Sequence, residues 1–271
     1  RFREGLEYRA PGFLEQVVSS SRIPPSYEAI ADRIVDLQTK SMGSGEELMQ
    51  LCGMQEDGKR AIALHACRKM GLALYALRAG DIPAAVAERE ALARLWEREA
   101  FFGSSALLVD CEQVLGKEGG NSLSAVVSFL QSVHSFAMTA CREPLACPGR
   151  LSIRLDVEKP TSDEQVDLWK AALNEEAGRL DGHLGQVISQ FDLGLSGIER
   201  AGAQVLSALS FDFSTDLSSV RDEGSAGRRM DSLLWEACRR ESRPRLSELA
   251  IRIDPRAGWD DLVLPQPQKK I

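Results

Sequence analysis

The chain is poor in the residues that build metal centres and in the runs that cross membranes. Its three histidines, His65, His134 and His183, lie far apart, and its six cysteines stand singly in apolar stretches without a CxxC pair. A clustered His/Cys metal site is therefore not expected. The same spacing suits reduced, buried thiols in a cytoplasmic protein and not a disulfide framework. No apolar run approaches the roughly 20 residues a membrane helix needs, so no membrane partner is expected. A basic surplus is missing too: 33 Lys and Arg against 40 Asp and Glu leave a net charge of −7. That balance argues against a chain that coats nucleic acid or anionic lipid non-specifically, and no specific nucleic-acid partner is expected.

What is present is enough for about two structural units in 271 residues, 44% of them hydrophobic. Residues 1–45 are turn-rich, with Pro24-Pro25 and Gly43-Ser44-Gly45 around a short amphipathic run at 26–37. This reads as a helical arm with Ser26 as N-cap. Between 46 and 160, apolar runs at 48–52, 72–77, 105–109, 133–139 and 151–155 alternate with helical patterns at 59–70, 83–101 and 122–131. Strands separated by helices of this length imply βαβ crossovers, hence a five-stranded parallel α/β sandwich. Beyond Pro160 the strand signals stop. Helical patterns at 163–173, 180–191, 196–209, 229–240 and 245–250 make residues 161–251 an all-helical unit, with 214–227 as a loop. Residues 252–271, with Trp259, read as an extended linker toward a further domain. Tyr27, Trp235 and Trp259 are candidates for burial against neighbouring subunits.

The residues with chemical potential cluster after the first of the five strands. Cys52 is followed by Gly53, Met54, Gln55, Glu56, Asp57, Gly58, Lys59, Arg60 and Ala61. A G-x-x-x-x-G-K loop between strand and helix can turn its amides toward a phosphate, with the lysine reaching the β- and γ-phosphates. A simple glycine-flanked turn opening a helix is the alternative. Arg60 stands where a Ser or Thr hydroxyl would hold Mg²⁺, and Glu56 and Asp57 put carboxylates into the loop. The strand at 105–109 runs into Asp110, Cys111 and Glu112. Asp110 is the candidate metal-polarising acid, and also a common turn former. Cys111 stands where the general base would be, with Glu112 displaced by one position onto the opposite side of the chain. Thr139 ends the next strand, and Arg142 and Arg150 are expected at the same sheet edge, as catalytic cations or as solvated surface charges.

The order of these motifs resembles that of AAA+ ATPases, with a helical lid after the fifth strand. More narrowly, Gly58-Lys59-Arg60, the 92–100 segment around Trp96, and Trp259-Asp260-Asp261-Leu262 resemble the tandem AAA+ ATPases of contractile injection systems. The resemblance covers about residues 46–271. It implies Lys59 as the Walker A lysine, Asp110 as the Walker B aspartate, and Thr139 or Cys141 at sensor 1. It further implies Arg142 or Arg150 as an arginine finger, and Ser196-Gly197 at the lid helix facing the nucleotide.

These readings converge on a module that binds ATP or ADP with weak or no hydrolysis and regulates a following AAA+ domain of the same chain. The expected assembly is a homo-oligomeric ring, a hexamer, acting on a protein substrate or an injection-system component. Arg60 and Cys111 count against Mg²⁺ placement and hydrolysis more than against binding. A nucleotide-free scaffold that docks subunits or partners is the alternative, and an active ATPase using Glu112 in place of Cys111 is a third reading.

Overall fold

Five of the short apolar runs pair side by side, the three at 47–52, 105–110 and 137–141 buried on both faces and the one at 151–156 largely exposed. They are β2 (Glu47–Cys52), β3 (Ala73–Arg78), β4 (Ser105–Asp110), β5 (Ala137–Cys141) and β6 (Leu151–Asp156). The computed structural model describes residues 14–17, 22–40, 47–112, 120–179, 184–191, 193–215 and 223–249. The expected linker at 252–271 with Trp259, and the turn at 43–45, lie outside the described residues.

A sixth strand corrects the five-stranded expectation. β1 (Leu14–Gln16) joins the edge antiparallel to β3, with Leu14 opposite Leu77 and Gln16 opposite Tyr75. The sheet order is β1-β3-β4-β5-β2-β6, and every contact other than β1–β3 is parallel. β2 thus lies one strand in from the β6 edge, between β5 and β6, with β4 on the far side of β5.

Side chains alternate between two apolar layers, as the strand period of two demands. Met49, Leu51, Leu108 and Met138 face one layer, while Leu48, Leu107, Val109 and Ala137 face the other. The first layer is covered by α1 (Pro25–Lys40) and α2 (Glu56–Lys69), the second by α3 (Val86–Gly103) and α4 (Gly120–Ser132). Gln50 is the polar exception on β2. Its buried amide exchanges two 2.8 Å hydrogen bonds with the backbone of Leu145, which satisfies it and pins the loop after β5.

Several local expectations are corrected. The α1 helix begins at Pro25, so Ser26 sits in its first turn and does not cap it. Tyr27, Ala31 and Ile34 are buried against the sheet layer, so Tyr27 is unavailable to a neighbouring subunit. Pro83 precedes α3 instead of opening it. β5 starts at Ala137 and not at Val133, because the Glu97 carboxylate of α3 accepts from the N–H groups of His134 and Ser135 at 2.8 and 2.9 Å.

The helical unit follows in α5 (Ser162–Leu173), α6 (Leu184–Gln190), α7 (Leu195–Thr215) and α8 (Glu223–Leu249). α5 opens with a complete capping box, Thr161 with Glu164. α8 runs on through Pro244 as one helix where two were expected, and α7 and α8 take up residues 214–215 and 223–227 of the expected 214–227 loop. Leu168, Trp169, Leu195, Ile198 and Leu234 belong to the same apolar cluster as Tyr27, Ile62 and Met138. The two units share one core.

Candidate functional site

The bend after β2 is shorter than the sequence pattern suggests. Residues 53–55 alone form it, since Glu56, Asp57, Gly58, Lys59, Arg60 and Ala61 already lie in α2. Its shape is dictated by close backbone packing. Gly53 has φ +135°, and a Cβ there would meet the Val157 carbonyl oxygen at 2.3 Å. The Gly53 N–H donates to the Cys141 carbonyl at 3.1 Å and the Val157 N–H to the Cys52 carbonyl at 2.7 Å. β5 and β6 therefore clamp the bend from both sides. Gly58 is needed for a second close approach: a Cβ would lie 2.7 Å from the Tyr27 ring.

Lys59 folds back over this bend and is completely buried. Its ammonium donates to the Gly53 carbonyl at 2.7 Å, to the Cys141 carbonyl at 2.9 Å and to the Glu112 carboxylate. Three protons thus meet three acceptors. The other oxygen of Glu112 accepts from Arg142 Nε at 3.2 Å. The reading of Glu112 as turned away from the site is therefore corrected. The Asp110 carboxylate accepts from the Glu112 N–H at 3.1 Å, a short turn that swings Glu112 toward Lys59.

The remaining candidates divide by position. Cys111 is buried, its N–H bonded to the Ala140 carbonyl at 2.9 Å. Burial, with the charges of Asp110 and Glu112, pushes its thiol up to about 12. It stays protonated at neutral pH and cannot serve as a general base. Burial, then Asp110 and Glu112, also raises the Glu56 carboxyl. Thr139 is buried within β5, opposite Gln50 and Val109, while Cys141 at the strand end gives its carbonyl to Lys59. The thiols of Cys52 and Cys141 lie 3.6 Å apart beneath the bend.

Arg142 is at this edge, exposed and paired with Glu112. Arg150 is not. Its guanidinium donates to the carbonyls of Leu130, Val133 and Glu47, at 2.9, 2.8 and 3.2 Å. Glu47 opens β2, so Arg150 braces the opposite end of the sheet, which corrects its placement beside Arg142. Arg60 pairs with Glu15 of β1 at 2.8 Å. For Mg²⁺ the donor set is a poor fit: Arg60 supplies a cation where an oxygen ligand belongs, and Asp110 Oδ1 is taken by the Glu112 N–H.

The helical unit meets the bend at the start of α7. The Ser196 hydroxyl donates to the Asp57 carboxylate and Arg200 donates to Ser196 at 3.2 Å, with Gly194 and Gly197 flanking. A cavity of about 260 Å³ lies beside this contact, lined by Glu15, Gln16, Asp57, Arg60, Leu195 and Ser196 among others. A second tie lies behind it. Glu164 closes the α5 capping box and also accepts from the Ser26 N–H at 2.7 Å and the Ser26 hydroxyl at 3.0 Å. Neither tie was legible in the sequence, because each joins residues more than a hundred positions apart.

Residues 161–244 match the family described as "Contractile injection system ATPase helical domain". The match covers the helical unit and stops short of the α/β unit before it. The α/β unit before it carries the AAA+ fold. The chain is similar to the crystal structure of the FIGL-1 AAA domain in complex with ADP, at 12% identity and a TM-score of 0.54, over 88% of this chain and 90% of that one. A second structure of the FIGL-1 AAA domain shares 14% identity and a TM-score of 0.50, over 86% and 92%. No curated protein matches the chain. At these identities the likeness to solved structures speaks to the fold. Among the described residues no helix is long and apolar enough to cross a membrane, and no group of three or more His, Cys, Asp or Glu side chains could hold a metal ion.

Proposed function

We propose that this chain is the nucleotide-binding, hydrolysis-impaired AAA+ module of a contractile injection system ATPase. The observation that carries the reading is Lys59, buried at the head of α2 and folded over the bend between the ends of β2 and β5. ATP or ADP would place its terminal phosphates there, with Ser196 and Gly197 of α7 above and the cavity by Arg60 alongside. Impairment is supported by the protonated Cys111, by Asp110 turned onto backbone and by the cation at Arg60. With Cys111 at the base position and Glu112 engaged by Lys59 and Arg142, a general-base contribution of order 10²–10⁴ in rate is lost.

The module's role is then regulatory: a nucleotide-dependent brace within a homo-oligomeric ring, a hexamer. The Trp259 segment leads to an active AAA+ domain that works on a protein substrate or injection-system component. Six free, buried cysteines support a reducing, cytoplasmic setting. Calorimetry of the 271-residue chain with ADP and ATP tests the reading. Saturable binding, lost in Lys59→Ala, with phosphate release at the blank rate is expected; brisk hydrolysis would refute the impairment.

A second reading, a nucleotide-free scaffold, is favoured by one observation: Glu112 already satisfies the Lys59 ammonium. A thermal midpoint indifferent to millimolar ATP would establish it.

A further inference from the structure

The head of α2 already holds an anion, supplied by the chain itself. Glu112 lies on the Lys59 ammonium through one carboxylate oxygen and on the Arg142 guanidinium through the other. Two cationic contacts to one carboxylate are the contacts a terminal phosphate makes in such a bend. The contact is built, not incidental. Glu112 is 8% exposed, its N–H is fixed by Asp110, and the preceding residue is bonded to β5. Lys59 has no proton left for a ligand, since Gly53 and Cys141 take the other two.

Resting on the nucleotide reading above, the geometry points to Glu112 as an internal competitor for phosphate. A tethered carboxylate keeps the bend closed until a ligand carrying a β-phosphate displaces it. The ligand class selected is therefore nucleoside di- and triphosphate. A monophosphate brings no group to Lys59 and leaves Glu112 in place. Displacement also releases Arg142, whose side chain is 59% exposed, from its carboxylate partner. Occupancy of the bend is thereby turned into a freed surface cation.

The test titrates the 271-residue chain with ADP and, separately, AMP, each followed by calorimetry, in the wild type, Glu112→Gln and Glu112→Asp. The glutamine removes the charge. The aspartate keeps it but falls one methylene short of Lys59, so a folded variant is available even where the buried lysine tolerates no neutral partner. Loss of one charge-assisted contact corresponds to about a ten- to hundredfold change in affinity. Tighter ADP binding by that factor in either folded variant, with AMP unchanged, is the expected result. Equal ADP affinity in all three proteins overturns the competitor role while leaving nucleotide binding intact. ADP and AMP tightening together would also overturn it, since the effect would then not act through Lys59. No ADP binding by any folded protein defeats the nucleotide reading itself, and the competitor with it.

Discussion

Replacing Lys59 with methionine removes the ammonium and leaves a buried carboxylate whose remaining partner is the exposed Arg142. Lys59 is fully buried and the Glu112 side chain 5% exposed, so water cannot take over the lost contact. Breaking one half of such a pair costs about 3–5 kcal/mol. Two carbonyls, Gly53 and Cys141, lose a donor as well, which puts the expected cost at the upper end. For a chain of this size that is a fall of roughly 6–20 °C in thermal midpoint. Removing both charges is a different perturbation. Lys59→Met with Glu112→Leu replaces the pair by apolar groups of similar volume, and the double variant is expected within about 2 kcal/mol of wild type. A double-mutant cycle in urea, followed by the fluorescence of the buried Trp96 and Trp169, measures the coupling. Lys69→Met is the control, since Lys69 pairs with Glu28 and Asp32 at the surface and its loss should leave the midpoint nearly unmoved. A cost below about 1 kcal/mol for Lys59→Met would show the ammonium in water, and the closed bend would be refuted.

Gly58→Ala should cost about 1–3 kcal/mol of overpacking against the Tyr27 ring, more than the roughly 1 kcal/mol alanine gains in helix propensity. The sign should reverse in a Tyr27→Leu background; calorimetric midpoints that fall equally in both would refute the contact. Partial burial raises the Glu164 carboxyl, but the N–H groups of Ser26 and Thr161 and both hydroxyls outweigh it, so the carboxyl sits below the usual range. Its contribution is present above about pH 4.3 and lost as pH falls through the lowered value, so Glu164→Gln should flatten that acid limb in denaturation at pH 3–6. Arg150→Ala should lose about 3 kcal/mol or more of stability while ADP affinity per folded molecule is unchanged. Weaker ADP binding in folded Arg150→Ala would return this arginine to the site.

The parallel strands were legible because strands buried on both faces are written as near-continuous apolar runs, as at 105–109. β1 was not, since three residues carry too little pattern and its pairing comes from β3. The single long α8 was hidden by Pro244, a usual helix breaker that the helix here runs through. Within the site, Gly53, Gly58, Lys59 and Asp110 were marked by spacing alone. Glu112 was named but turned the wrong way, because alternation along an extended chain does not foresee the local turn in which the Asp110 carboxylate accepts from the Glu112 N–H. Arg150 was misplaced because nearness in sequence to the strand end at Cys141 hid the reversal of the chain before β6.

The carboxylate of Glu164 has a mechanical consequence. It grips the first turn of α1 at Ser26 while closing the start of α5, and one residue along α1 the Tyr27 ring lies against Gly58. A rotation of α5 therefore pulls on α1, and α1 bears directly on the helix that carries Lys59. On the far side, Ser196 ties α7 to Asp57 of that same helix. Gripped from two directions, α2 follows the helical unit as a geared part, and a shift of α5 or α7 reaches the bend at Gly53.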